Sequence, residues 1–120
     1  MWKNTLSISE RDITLLLQDI QTAICNILEF TKDYTFENYE TDLKTRYAVE
    51  RNFEIIGEAV AQIPDIYKEI HPQVEWRIIK DFRNFIIHEY FGINHFIVWV
   101  TIQYRLPDLL MKISLLHKIQ

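Results

Sequence analysis

The feature that most limits the fold of this chain is its scarcity of turn-forming residues. Only two glycines and three prolines occur among its 120 residues, whereas a β-sheet protein of this size would need more of them at its turns. Apolar residues make up 48% of the chain, which excludes a disordered protein and allows one modest core. We therefore expect an all-α protein, with a single domain over residues 1–120 built as an antiparallel four- to five-helix up-and-down bundle.

Capping residues and apolar spacing divide the chain into four long helices and two short ones. The long helices are expected from a Ser7–Glu10 capping box to about Lys32, from Asp42 to about Ile63, from Trp76 to about Gly92 and from Asn94 onward, and the short ones near 35–39 and 65–70. Pro107 should kink or split the last helix, because proline removes a backbone hydrogen bond. Gly57 lies inside the second long helix, so we expect a neighbouring helix to approach closely there.

Charge and cysteine content narrow the kinds of site that this chain can carry. The formal net charge is −4, so a nucleic acid would have to be bound locally or at a site shared between chains. Cys25 is the only cysteine; this excludes an internal disulfide and a cysteine zinc site, and we expect it to be buried. No apolar run reaches the roughly 18 residues of a membrane span. We expect a cytoplasmic protein with no metal and no cofactor.

The most distinctive stretch reads DFRNFIIHEYFG over residues 81–92. At about 100° per residue, its helix has one apolar stripe, formed by Ile78, Phe82, Phe85 and Ile86, and a separate polar face, formed by Arg77, Asp81, Asn84 and His88. Arg83 lies about 140° around the axis from His88. Gly92 is a suitable stop signal, which places Tyr90 near the end of the helix.

Arg83, His88 and Tyr90 have the spacing R-x4-H-x-Y, which resembles the signature of the HepT-like ribonuclease toxins of the HEPN superfamily. The resemblance extends to three further blocks, which are RNFEIIGEA at 51–59, His71-Pro72 followed by Trp76, and YFGI…VW…LP between 90 and 107. A bare R-x4-H is common by chance. The ordered set of four blocks spans residues 51–107 and predicts a HEPN-like bundle.

The resemblance implies a metal-independent endoribonuclease that is the toxin of a toxin–antitoxin pair. Histidine transfers protons near neutral pH and arginine binds phosphate bidentately, so His88 is expected to be the acid–base group and Arg83 the phosphate clamp. Asn84 and Asp81 are expected to support them. The active groove is expected to lie at a homodimer interface. The implied partners are an RNA substrate and a cognate nucleotidyltransferase antitoxin, which would transfer AMP to the Tyr90 hydroxyl and block the groove.

Other interpretations of these residues stay open at this point. His88 could be structural, Arg83 could pair with Glu75 or Glu89, Asp81 could pair with Arg77, and the Tyr90 ring could be buried. Glu54 and Glu58 read as a solvated helix face that pairs with Arg51 or with cations of the motif helix, rather than as a metal site. Glu89 replaces the glycine found in many family members and would place a carboxylate beside the cleft. The alternative function is therefore a catalytically silent nucleotide-binding or partner-binding helical module associated with a nucleotidyltransferase.

Overall fold

The computed structural model describes residues 10–88 and 92–120, with the side chains of Glu10 and Arg11 excepted. Within these ranges the chain is helical, with seven segments: α1 (Glu10–Phe30), α2 (Phe36–Thr41), α3 (Leu43–Gln62), α4 (Asp65–Ile70), α5 (Trp76–His88), α6 (His95–Tyr104) and α7 (Leu106–Ile119). Five of these have ten or more residues and two have six. The all-α bundle expected from the scarce turn residues is confirmed.

Helix boundaries follow the capping residues that the sequence indicated. The side chains of Thr35 and Asn38 form a reciprocal capping box at the start of α2, and the Asp42 carboxylate accepts the backbone N–H of Thr45 at the start of α3. Asn94 accepts two backbone N–H groups at the start of α6. Each cap satisfies amide groups that have no partner inside the helix. The predicted Ser7 cap lies outside the described residues.

The last helix is split, as Pro107 predicted. α6 ends at Tyr104 and α7 begins at Leu106, with Pro107 as the second residue of α7. Proline is tolerated in a first turn, where the backbone N–H would lack an intrahelical partner. Two apolar helices therefore replace one long one, and they pack against each other.

α1 and α3 are the central pair of the bundle. α1 packs on α3 and α7, while α3 also packs on α5. The inner face of α1 is completely buried and is formed by Leu17, Ile20, Ile24 and Ile27. Burial of each of these side chains stabilises the folded protein by about 2 kcal/mol. Cys25 was expected to be buried, and this prediction was wrong. It is exposed, because it follows the inward-facing Ile24 by about 100° around the helix.

No helix in the described part of the chain is both long enough and apolar enough to cross a membrane.

Candidate functional site

The start of α5 is anchored by the joint that precedes it. The indole nitrogen of Trp76 donates a hydrogen bond to the His71 carbonyl at 2.9 Å, which closes the loop containing Pro72. The Tyr67 ring of α4 packs against His71, with ring centroids 4.4 Å apart, and lies edge-on to Trp76 at 6.4 Å. Trp76 is 7% exposed. This joint therefore fixes the position from which the motif helix begins.

Packing against α3 sets the rotation of α5. Ile86 is buried, and the Phe82 ring meets the Phe53 ring of α3 edge-to-face at 4.9 Å. With this side held against the core, Asp81 and His88 are exposed. Ile78 was placed in the apolar stripe, yet it is 47% exposed, because α5 borders an open cleft on that side rather than another helix.

The predicted polar face is accessible along the length of α5. Arg77, Asp81 and His88 are exposed, while Asn84 is half-buried. No ion pair joins Asp81 to Arg77 among the described side chains, so the alternative role given to Asp81 finds no support. Asn84 lies one turn before His88, within the range at which side chains of a helix interact.

Arg83 leaves α5 in a different direction, toward α3. Its side chain is half-buried, and its Cβ, Cγ and Cδ atoms lie directly over Gly57, so that a Cβ atom added to Gly57 would come within 2.7 Å of each. The close helix approach expected at Gly57 is confirmed. The Nε atom of Arg83 is buried and makes no hydrogen bond to a described residue.

The acidic residues suggested as partners of Arg83 are engaged elsewhere or lie outside the described residues. Glu75 pairs with Arg105 at 3.6 Å. Glu54 and Glu58 pair with Arg51 at 3.5 and 3.4 Å, as predicted. Glu89 lies outside the described residues.

One chain therefore presents the two candidate catalytic side chains on different sides of α5. Arg83 lies against α3, while His88 lies exposed at the last described turn. Tyr90, the expected modification site, is outside the described residues. Gly92 follows with a φ of +115°, a left-handed conformation that glycine adopts without strain.

A second polar cluster was not predicted from the sequence. Nη1 of Arg46 on α3 contacts Nε2 of His95, the first residue of α6. Burial, and then the charge of Arg46, lowers the pKa of the His95 imidazole. Three buried atoms here have no hydrogen-bond partner among the described residues: Arg46 Nε, His95 Nδ1 and the hydroxyl oxygen of the fully buried Tyr39. Arg46 and His95 lie 49 residues apart, so no local spacing could have indicated their contact.

An open apolar cleft of about 340 Å³ separates α5 from α6 and α7. Phe53 and Ile56 of α3 form part of its wall, together with Ile78 and Phe82 of α5. The ion pair between Glu75 and Arg105, both of which line the cleft, links the α5 side to the α7 side. No group of three or more His, Cys, Asp or Glu residues among the described side chains is arranged to hold a metal ion.

Comparison with known proteins assigns this architecture to a family. The family described as "Ribonuclease HepT-like" matches residues 20–116. A protein from Thermococcus cleftensis named "Probable ribonuclease HepT" is 42% identical over 102 residues, which is 85% of this chain and 93% of the relative. Two further relatives carry RNase in their names. One, from Methanocaldococcus jannaschii, is 38% identical over 82% of both chains. The other, from Caldanaerobacter subterraneus subsp. tengcongensis, is 41% identical over 69% of this chain and 74% of its own length.

No solved structure matches this chain. The family match spans α2 to α6 in full, about half of α1 and most of α7, and it therefore includes α5, which carries Arg83 and His88, and α3, on which α5 packs. The chain therefore belongs to the HepT-like ribonuclease family and is a ribonuclease.

Proposed function

We propose that this ribonuclease cleaves RNA without a metal ion, using His88 as the acid–base group and Arg83 as the phosphate clamp. The observation that carries the proposal is the arrangement on α5, where an arginine is held against α3 and an accessible histidine follows it five residues later. Arginine supplies a permanent positive charge for the phosphoryl oxygens, and histidine exchanges protons near neutral pH.

The chemistry needs one proton acceptor, one proton donor and one cation. The 2′-oxygen of the ribose forms a bond to the adjacent phosphorus as its proton leaves, and the bond from phosphorus to the 5′-oxygen breaks as that oxygen gains a proton. The products end in a 2′,3′-cyclic phosphate and a 5′-hydroxyl. His88 transfers a proton in this step, while Arg83 stabilises the charge on the phosphoryl oxygens. Asn84 orients the imidazole or contacts phosphate, and Asp81 supports the same face.

The positive charge of α5 gives this acidic protein a local surface that can bind RNA. The helix carries Arg77, Lys80 and Arg83 against the single carboxylate of Asp81, although the whole chain has a net charge of −4. Arg77 and Lys80 are exposed. Three cations along one helix can follow a phosphate backbone over a short distance.

A homodimer completes the site in this proposal. Arg83 and His88 leave α5 in different directions. Each active groove at the dimer interface therefore takes Arg83 from one subunit and His88 from the other. The protein is the toxin of a toxin–antitoxin pair, and a nucleotidyltransferase antitoxin transfers AMP to Tyr90. The phosphate of the attached AMP repels RNA, and the AMP group occupies the active groove. The family resemblance, rather than a described contact, supports this part of the proposal.

The test is RNA cleavage by purified protein in EDTA, after intact mass has shown that no AMP is attached. We expect His88→Ala and Arg83→Ala each to lower the cleavage rate by about a hundredfold or more. His117→Ala, which alters a histidine of α7, is the matched control and should retain full activity. Loss of wild-type cleavage in EDTA would contradict the metal-free mechanism. An unmodified wild type that cleaves no RNA with or without a divalent metal would favour the binding module.

A further inference from the structure

Gly57 occupies a position where the helix itself would favour another residue. It is buried in the middle of α3, and glycine weakens a helix relative to alanine. The local conformation does not require glycine, because only Gly92 among the glycines has a positive φ. The requirement comes from α5, whose Arg83 stem fills the space where a Gly57 side chain would be.

We infer that Gly57 is a positioning residue for the ribonuclease reaction, and this inference rests on the proposed role of Arg83. The notch at Gly57 receives the aliphatic stem of Arg83, so that α3 restricts the rotamers of the side chain and directs its guanidinium. A long flexible side chain that is held in this way loses less conformational entropy when it binds phosphate. Gly57 thus acts on the reaction through Arg83 and does not itself contact RNA.

The overlap at the notch cannot be relieved by a simple side-chain rotation. Arg83 Cβ is among the atoms that a Gly57 side chain would meet, and Cβ moves only with the backbone of α5. One turn earlier on α3, Phe53 packs edge-to-face on Phe82, the neighbour of Arg83, with ring centroids 4.9 Å apart. An alanine at position 57 must therefore push α5 away from α3, and the overlaps with Cγ and Cδ favour another rotamer of Arg83 as well.

The charges around the notch leave the guanidinium available for phosphate. Glu54 and Glu58, which flank Gly57 on α3, both pair with Arg51. No ion pair between described residues reaches Arg83, and its buried Nε makes no hydrogen bond to any of them. The stem is thus held by packing, whereas the charged end is not committed to a neighbouring carboxylate among the described side chains.

The direct test is Gly57→Ala, followed by steady-state cleavage and by NMR of the arginine side chains. We expect kcat to fall by about tenfold or more with little change in KM, because a small displacement of a positioned group costs rate rather than ground-state binding. In the wild type, the Arg83 Nε–H resonance, assigned by its absence in Arg83→Lys, should be dispersed and slow to exchange. In Gly57→Ala it should move toward the position of a solvent-exposed arginine.

A double-mutant cycle separates positioning from general damage. Introduced into Arg83→Ala, which has no Cγ, Cδ or guanidinium to position, Gly57→Ala should cost much less of the residual activity than it costs in the wild type. Val60→Ala is the matched control, because it truncates another buried residue of α3. It should lower Tm yet leave kcat unchanged. Equal losses from Gly57→Ala in the two backgrounds would overturn the inference, as would unchanged kcat and NMR spectra.

The NMR readout keeps this inference separate from the proposed function. A wild type that cleaves no RNA would end the proposed function, but a shifted Nε–H resonance in Gly57→Ala would still establish the notch. A wild-type Arg83 Nε–H that exchanges as fast as those of exposed arginines would overturn the inference even if Gly57→Ala failed to fold.

Discussion

Asp42 joins α3 to the connection between α1 and α2 through a single carboxylate. It caps α3 by accepting the backbone N–H of Thr45 at 3.1 Å, and it also accepts the hydroxyls of Thr45 at 2.8 Å and Tyr34 at 2.6 Å. These hydrogen bonds, with that from Tyr34 the largest contribution, lower the pKa of Asp42 to about 2. Tyr34 belongs to the connection between α1 and α2, so the charged cap ties this connection to the central helix.

This lowered pKa makes a contribution to stability that depends on pH. A carboxyl group with a depressed folded-state pKa stabilises the protein above its unfolded pKa, and that contribution is lost as the pH falls through the folded value. Asp42→Asn should therefore lower Tm near pH 7, and its difference from wild type should shrink between about pH 4 and pH 2. Thermal melts across this range measure it.

Tyr34→Phe provides the control for the cause of this shift. Without the phenol, the pKa of Asp42 should rise toward its ordinary value, and NMR titration of the carboxyl carbon would follow the change. A Tm difference between Asp42→Asn and wild type that stays constant across the pH range would show that cap geometry, not charge, is responsible.

The surroundings of single residues were predicted well where the helical period or the space that a side chain needs determines them. Gly57 was expected to mark a close helix contact, and Arg83 fills that contact. Cys25 was expected to be buried because it lies inside a helical pattern, but its own position around α1 places it outside the core. The Arg46–His95 contact depends on how α3 and α6 meet, which no local pattern specifies. The roles of Arg83, His88, Asn84, Asp81 and Tyr90 stay predictions.

At the scale of elements, the α4–α5 joint determines where the motif helix starts. Trp76 donates its indole N–H to the His71 carbonyl, so Trp76→Phe leaves that carbonyl without this partner. We expect a loss of at least about 1 kcal/mol in the free energy of unfolding, measured by urea denaturation. The cleavage rate should also fall, because α5 would lose the anchor at its first residue.

Trp99→Phe is the comparison for this prediction. Trp99 of α6 is half-buried against Tyr39, with ring centroids 5.6 Å apart, and its indole donates no hydrogen bond to a described residue. It should therefore lose less stability than Trp76→Phe and retain cleavage. Equal effects of the two substitutions on stability and cleavage would indicate that loss of aromatic area, rather than the hydrogen bond at the joint, is what matters.

Across the molecule, the bundle is packed on one side of α5 and open on the other. α5 packs on α3, yet a cleft of about 340 Å³ separates it from α6 and α7. Periodicity predicted the apolar stripe of α5 but not this gap, because a stripe shows which side avoids water and not whether a helix of the same chain covers it. Arg83 lies on the packed side of α5, against α3, whereas His88 is exposed.

If each cleft combines Arg83 of one subunit with His88 of the other, heterodimers will show it. A purified heterodimer of an Arg83→Ala chain and a His88→Ala chain retains one complete cleft out of two, so it should have about half of wild-type activity. Each parent homodimer has no complete cleft and should be inactive. Two different affinity tags on coexpressed chains allow the heterodimer to be isolated and its RNA cleavage measured.

The reciprocal heterodimer reverses the expectation. When both substitutions lie in one chain and the other chain is wild type, a shared cleft always lacks either Arg83 or His88, so this heterodimer should be inactive. Clefts formed within single chains would give the opposite pattern, with about half activity here and none in the first heterodimer. Each of the two heterodimers contains one Arg83→Ala and one His88→Ala substitution. Effects of these substitutions on folding or on RNA binding therefore cannot produce the difference between them. Only the distribution of Arg83 and His88 between the two subunits distinguishes them.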